Sequence, residues 1–296
     1  MITAVFLYLI NNYLVFWLEM PGSYNLFSHY GWLGLEALNQ PLEGSQITWG
    51  WVQVIAYLGI LAASIYYVRS TEHRSLEDEA VRFSVLSSFL IRFAFWAILS
   101  IGLVDMLISM LRVEGFLSAV VGEKLASELG RPIFRGQYVH YPLTVTSLFL
   151  ALRFRNISFT WLTLMVVFAE FMIVITRFIF SYEQAYMGDL VRFWYAGLFL
   201  FASAHTLVEG GHVRVDVLYA GFSRRKKAIY DSFGCVILGL PMCWVILMQG
   251  MGGRGNSINS PLLSFEVSQS GYGMYTKYMM AGYLVVFAVT MLIQFI

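Results

Sequence analysis

The stretch WLTLMVVFAEFMIVITRFIF, residues 161–180, decides the fold class of this chain. It is almost entirely apolar and as long as the roughly 20 residues that a helix needs to cross the hydrocarbon core of a bilayer. In lipid only helices and closed barrels satisfy the backbone, and apolar runs without strict alternation favour helices. Runs of this kind recur along the chain, and the candidate spans are 49–68, 84–111, 157–180, 191–208, 229–249 and 277–296.

The composition indicates the same class. Of 296 residues, 58% are hydrophobic and only 12% are charged, with a mean hydropathy of +0.67. Soluble domains carry about 25% charged residues, so this chain lacks the charge to cover a water-facing surface. Two further apolar stretches, 2–18 and 139–152, are short or interrupted. The sequence therefore predicts an all-α polytopic helical membrane protein with about six to eight transmembrane helices plus interfacial helices.

Basic residues in short loops predict the orientation, because cytoplasmic loops carry the excess of Lys and Arg. Segments 69–83, 153–155 and 209–228 are basic and are expected in the cytoplasm. Segment 112–137 is expected on the other side, although it contains bases. We interpret it as an interfacial amphipathic helix whose bases lie among the lipid headgroups. The basic residues of that segment are Arg112, Lys124, Arg131 and Arg135.

Several function classes are disfavoured by the sequence. A net charge of +1 argues against a nucleic-acid partner. The chain contains neither a Gly-x-Ser-x-Gly elbow nor a His-Glu-x-x-His zinc motif, which argues against a hydrolase. A b-type haem needs two facing histidines within spans. Of the five histidines only His205 lies well inside a span, and His140 is at the edge of a doubtful one.

Charged residues inside the spans are costly in lipid, so each is a candidate functional residue. Arg92 and Asp105 lie in the second strong span, and Glu170 and Arg177 lie in the third. Glu170 and Arg177 are two helical turns apart on one face. One interpretation is that they pair with each other or with a partner helix and determine packing. The alternative is an ion or proton relay, which would need several acids aligned through the bilayer.

The polar segment EGGHVRVDVLYAGFSRRKK, residues 209–227, stands out in so apolar a chain. Gly210 and Gly211 allow the chain to turn after a helix. We expect a short interfacial helix from about Val213. The basic run Arg224, Arg225, Lys226 and Lys227 would anchor it to the anionic leaflet, at about 1 kcal/mol per residue.

Three pieces of sequence carry a family resemblance. They are EGGHVRVDVLY at 209–219, RFIF at 177–180, and SFEVSQSGYGMYTKY at 264–278. Together they resemble the small, DctQ-like membrane subunit (Q subunit) of tripartite ATP-independent periplasmic (TRAP) transporters. The match covers residues 157–296. The partner-interface candidates taken from these motifs and from the third span are Gly210, Gly211, His212, Arg214, Asp216, Arg177, Glu170, Glu266, Ser268 and Lys277.

The resemblance implies a two-part organisation. Residues 156–296 would form a four-helix small-permease unit with the cytoplasmic loop 209–228, and residues 1–155 would be an N-terminal membrane extension absent from compact members. The small subunit has no transport site or cofactor of its own. It pairs with a large membrane subunit, which binds sodium ions and the substrate, and a periplasmic binding protein delivers that substrate.

The resulting expectation is a non-enzymatic small subunit of a sodium-coupled TRAP system for uptake of an organic acid. It would lie as a multi-pass protein in the bacterial inner membrane, in contact with the lipid bilayer, and would anchor the large subunit. The alternative is a membrane anchor subunit of a respiratory redox complex, which a haem absorption band would reveal.

Overall fold

A computed structural model describes residues 1–38, 40–155, 159–209, 219–268 and 272–296. Within these ranges the chain is helical, with turns and loops between helices and no strand, so the all-α prediction is confirmed. Two compact units are present. The first comprises Met1–Ala80 with Met251–Arg254, and the second comprises Val81–Gly250 with Gly255–Ile296.

The first unit is built on one long helix. Helices α1 (Ile2–Phe16) and α2 (Ser23–His29) pack on α3 (Gly44–Ser70). A short 3₁₀ turn, Trp32–Gly34, follows α2. Gly50 allows α2 to approach α3 closely, because a Cβ there would lie 2.9 Å from Leu26 Cβ.

The second unit begins with α4 (Leu76–Val113), whose first residues belong to the first unit. Its 38 residues extend about 57 Å at 1.5 Å per residue, well beyond the thickness of a bilayer core. Three short helices follow: α5 (Leu117–Val121), α6 (Glu123–Leu129) and α7 (Pro132–Arg135). The π-helical turn Gly136–His140 then leads into α8 (Tyr141–Arg153).

The rest of the second unit holds α9 (Phe159–Phe180) and α10 (Ala185–Glu209). Helix α11 (Arg224–Gly234) runs through the π-helical turn Cys235–Gly239 into α12 (Leu240–Met251). The chain ends with α13 (Asn259–Ser264) and α14 (Lys277–Phe295). Helix α10 is central, because it packs most extensively on α14 and next on α9.

The core of the second unit forms where α10 meets its neighbours. Phe193 and Phe201 of α10 are fully buried, and their rings lie 5.3 and 5.1 Å from the ring of Tyr283 in α14. On the other side Trp194 Nε1 donates to the carbonyl of Ile98 in α4 at 3.2 Å. Aromatic burial thus holds α10 between α4 and α14.

Five helical segments in the described ranges are long and apolar enough to cross a membrane. They coincide with five of the six predicted spans and are Gly44–Ser70, Leu76–Val113, Thr160–Phe180, Arg224–Met251 and Lys277–Phe295. The sixth predicted span, 191–208, lies within α10, whose 25 residues exceed the length of a crossing. The doubtful stretches 2–18 and 139–152 correspond to α1 and α8, of 15 and 13 residues.

The expectation for segment 112–137 needs correction. It forms three short helices instead of one, and one of its bases is not at the surface at all. Lys124 and Arg131 are exposed, but Arg135 is fully buried. The error arose because a loop's charge count does not reveal an acid 30 residues earlier that neutralises one of its bases.

Candidate functional site: a buried ionic cluster and its surroundings

Asp105 of α4 lies at the centre of a buried ionic cluster in the second unit. Its Oδ1 atom is 3.0 Å from Arg135 Nη1 and 3.0 Å from His140 Nε2, and all three side chains are fully buried. Its Oδ2 atom accepts a hydrogen bond from the backbone N–H of Tyr275 at 2.9 Å. The carboxylate is therefore bonded on both oxygens, as a buried charge must be.

Arg135 is satisfied by several acceptors besides Asp105. Its Nη1 donates to Ser109 Oγ at 2.9 Å. Its Nε and Nη2 donate to the carbonyl of Leu129 at 3.0 and 2.8 Å, which closes the chain around the guanidinium. The guanidinium also stacks on the Tyr275 ring at 4.1 Å. Burial lowers the pKa of Arg135, while the Asp105 carboxylate opposes this shift.

His140 uses both ring nitrogens within the cluster. Nε2 contacts Asp105, and Nδ1 lies 2.9 Å from the hydroxyl of Tyr278. When Nε2 donates to the carboxylate, a neutral imidazole accepts the Tyr278 hydroxyl proton at Nδ1. Neither nitrogen is available to an axial iron, so His140 as placed cannot serve the haem of the alternative hypothesis.

Arg112, at the end of α4, lies at the edge of the cluster. Its guanidinium donates to the Tyr275 hydroxyl and, at 3.1 Å, to the carbonyl of Gly273. The Tyr275 hydroxyl in turn donates to the Gly130 carbonyl at 2.9 Å. The chain just before α14 is thus held by side chains from α4 and by the loop after α6.

At Gly136 the backbone of the π-helical turn lies very close to the side chains of Phe265 and Tyr278. A Cβ at this position would lie 2.2 Å from Phe265 Cε1 and 3.3 Å from the Tyr278 hydroxyl. Because glycine has no Cβ, the π-helical turn that carries His140 can pack directly against these rings.

A second polar group surrounds Asp189 of α10. Its Oδ2 accepts from Ser268 Oγ at 3.1 Å and from the backbone N–H of Met274 at 3.0 Å. The neighbouring Lys277 Nζ contacts Glu266 Oε1 at 2.6 Å on the exposed side. A cavity of about 310 Å³ lies here, lined by Asp189, Arg192, Ser268, Met274, Thr276, Lys277 and Met280.

The structure brings only some of the sequence candidates together. Ser268 and Lys277 line one cavity with Asp189, and Glu266 pairs with Lys277. Glu170 and Arg177 do not pair with each other, because Arg177 Nε lies 3.4 Å from Glu183 Oε2 and both of those side chains are exposed. Residues Gly210, Gly211, His212, Arg214 and Asp216 lie outside the described residues, as does most of the interfacial helix expected from Val213.

The basic run 224–227 forms the first turn of α11, at the start of a span. Four cations at a helix N-terminus oppose the helix dipole, so they are favoured there only by anions such as lipid phosphates. Lys227 Nζ lies 5.0 Å from the Tyr219 ring centre, and the Tyr219 hydroxyl donates to Asp231 at 2.6 Å.

Glu170 and Arg92 are the remaining charged candidate residues that the sequence places inside membrane spans. Glu170 is exposed in the middle of α9 and has no ion-pair or hydrogen-bond partner among the described residues. A carboxylate at the bilayer centre costs about 2.5–3.5 kcal/mol even on insertion scales. Arg92 is half-buried, and its Nε lacks a hydrogen-bond partner in the described ranges.

Sequence reasoning identified Asp105 as a costly intramembrane charge but missed Arg135 as its partner and overlooked Asp189. The only signal for Asp189 was an acid three residues before Arg192 at the start of an apolar run.

In the described part of the chain, no group of three His, Cys, Asp or Glu side chains is arranged to hold a metal ion.

These features define a class: a polytopic helical membrane protein with one buried, internally paired ionic cluster. A comparison with protein families shows which family the second half of the chain matches. Residues 163–296 match the family described as "Tripartite ATP-independent periplasmic transporters, DctQ component". The resemblance is thereby confirmed for residues 163–296, which match this family and follow a longer N-terminal part. The curated proteins and the solved structures compared with the chain include no match.

Proposed function

We propose that this chain is the small membrane subunit of a sodium-coupled TRAP system for uptake of an organic acid. The observation that carries the proposal is the DctQ match over residues 163–296. In this assignment a large membrane subunit binds sodium ions and the substrate, and a periplasmic binding protein delivers the substrate. The chain lies in the bacterial inner membrane, with the loop 209–228 on the cytoplasmic side.

The role assigned to the chain is mechanical, namely to anchor and stabilise the large subunit. The buried cluster supports this role. Through Asp105 and His140, α4 and the π-helical turn before α8 are bonded to Tyr275 and Tyr278 of the DctQ segment, and Arg135 pairs with the same carboxylate. A fully satisfied buried network makes its surroundings rigid. A rigid body in the bilayer is what a moving transport subunit needs beside it.

The same bonding argues that the cluster is structural. Each charged group of Asp105, Arg135 and His140 is already bonded to protein and buried away from solvent. A substrate carboxylate or a sodium ion would have to displace these internal bonds. We therefore assign substrate and ion binding to the large subunit.

For the loop 209–228 we propose an orienting role. Gly210 and Gly211 would let the chain turn between α10 and α11, and the basic run would hold the start of α11 at the phosphates. The angle between these two helices would then shape the surface offered to the large subunit.

The test is reconstitution. Liposomes that contain this chain with its large subunit, supplied with the binding protein, are expected to take up substrate when a sodium gradient is imposed. Liposomes with this chain alone are expected to show no uptake. Sodium-driven uptake by the isolated chain, or failure of the large subunit to co-purify with it, would contradict the proposal. A haem absorption band in the purified protein would support a respiratory anchor instead.

A further inference from the structure

The outer face of α9 carries a regular stripe of exposed residues. Thr163, Val167, Glu170, Val174 and Arg177 follow one another at alternating steps of four and three, and all five are exposed. This spacing places them along one side of the helix and is the pattern of a seam that packs against another helix at a crossing angle of about 20°. Residues Leu162 and Val166, on the buried side, are covered by the chain itself.

The depth of Glu170 makes this stripe unusual. The candidate span Thr160–Phe180 has 21 residues, and Glu170 is its central residue. At 1.5 Å per residue the span is about 31 Å long, which matches the hydrocarbon thickness of about 30 Å. If this span is centred in the bilayer, the exposed carboxylate lies at the midplane, where lipid offers it no hydrogen-bond donor.

The helix itself is sparsely covered. Only 11% of this span is buried within the chain, against 44% for the spans in α4 and α14. Arg177 does not approach Glu170 but contacts Glu183 at the end of the helix. Within the described residues, no cation of this chain reaches the carboxylate. An ionised Glu170 therefore needs a cation from outside the described residues.

We propose that the stripe Thr163–Val167–Glu170–Val174–Arg177 is the seam on which the large TRAP subunit docks, through a transmembrane helix that presents a Lys or Arg side chain to Glu170 at mid-membrane. The proposal rests on the function proposed above and adds which face of this chain makes the contact. A partner cation satisfies the carboxylate, and the valines on either side supply the close packing that holds membrane helices together.

Photo-crosslinking tests the position of the seam. The chain is co-expressed with its large subunit, and a photo-reactive amino acid replaces Val167 or Val174. Leu164 and Phe168 are the matched controls, because both are exposed on α9 but line an apolar cavity of about 480 Å³ on another side of the helix. Adducts with the large subunit are expected to be several-fold more abundant from the stripe than from the controls.

The outcomes separate this proposal from the one it rests on. If wild-type chain retains the large subunit but adducts arise equally from all four positions, or mainly from Leu164 and Phe168, the seam is wrong and the subunit assignment stands. Adducts between two copies of this chain would make the stripe a homodimer contact and overturn the proposal. If the large subunit is not retained by wild-type chain, the proposed function fails as well.

Charge reversal tests the role of Glu170. Glu170→Lys is expected to lower retention of the large subunit about ten-fold or more, because like charges then meet at a buried contact. Glu123→Lys, at the exposed start of α6 and outside the stripe, is the control and should stay within about two-fold. Glu170→Gln should weaken assembly while the assembled transporter keeps its sodium dependence. Normal retention of Glu170→Lys, or a changed sodium dependence in Glu170→Gln, would overturn the proposal and favour an ion relay.

Discussion

Asp105 Oδ1 and Arg135 Nη1 lie 3.0 Å apart, and neither side chain is exposed. The acid comes from a long membrane helix and the base from a segment whose sequence is that of a surface helix. Tyr275, in the stretch that resembles the DctQ family, bonds to the same carboxylate through its backbone N–H. The carboxylate of this ion pair therefore fastens the N-terminal part of the second unit to the family-matched segment.

Removing one partner of this pair should be costly. Arg135→Gln is expected to lower the free energy of unfolding by about 3–5 kcal/mol, because Asp105 would remain buried without its guanidinium. The measurement is thermal unfolding of the purified complex in detergent. Arg131→Gln is the control, since its pair with Glu128 is on the surface, and about 1 kcal/mol or less is expected. Equal effects of the two substitutions would contradict a buried pair.

Substitutions of His140 and Tyr278, which are bonded to each other in the cluster, should be energetically coupled. Tyr278→Phe removes the hydroxyl that bonds His140 Nδ1 and should cost about 1–3 kcal/mol, because a buried ring nitrogen is left without its partner. Substituting His140 by Phe should cost more, since Asp105 also loses a bond. The double variant should be less destabilised than the sum of the two. Strict additivity in a double-mutant cycle would indicate that the two groups do not interact.

Gly136 should tolerate no side chain. Gly136→Val is expected to destabilise the protein by about 1–3 kcal/mol, because its Cβ would overlap the ring of Phe265. Gly188→Ala, in α10, is the matched control. Its Cβ would meet nothing within 4 Å, so the change should be neutral or stabilising by up to about 1 kcal/mol. Chemical or thermal unfolding measures the change in stability of both variants.

Near the start of α14, the mostly buried Asp189 and the half-exposed Glu266 should differ in their contribution to stability. Asp189→Ala removes the acceptor of Ser268 and of the Met274 backbone and should cost about 1–3 kcal/mol of stability. Glu266→Gln should change stability by about 1 kcal/mol or less, because its pair with Lys277 is nearly half exposed. Unfolding of the isolated chain measures both changes in stability. A larger effect of Glu266→Gln than of Asp189→Ala would contradict the expectation that Asp189 contributes more to stability.

The loop 209–228 provides a functional prediction. Replacing Gly210 and Gly211 together by Val should abolish uptake, since bulky β-branched residues would block the turn between two membrane helices. Lys226→Gln should leave uptake almost unchanged, because three other bases of the run remain. The measurement is substrate uptake by cells or liposomes at equal protein levels. Equal tolerance of both changes would reduce this segment to an ordinary basic loop.

The sequence by itself determined the class of this protein, because apolar runs of about 20 residues in so weakly charged a chain have no stable alternative to membrane helices. It also revealed the resemblance of residues 157–296 to the DctQ family, through short motifs around residues 177–180, 209–219 and 264–278, and it marked Asp105 and Glu170 as costly charges. These conclusions depend on local pattern, and local pattern is what a sequence displays directly.

Only the tertiary structure decided which charges are paired. Arg135 looked like a headgroup base, yet folding places it against Asp105, 30 residues earlier, and beside Tyr275, 140 residues later. Glu170 looked equally able to pair with Arg177, yet it faces outward alone among the described residues. Pairing over such separations depends on how the helices pack in three dimensions, and the burial of a charge depends on all its neighbours, which the spacing of residues along one chain does not specify.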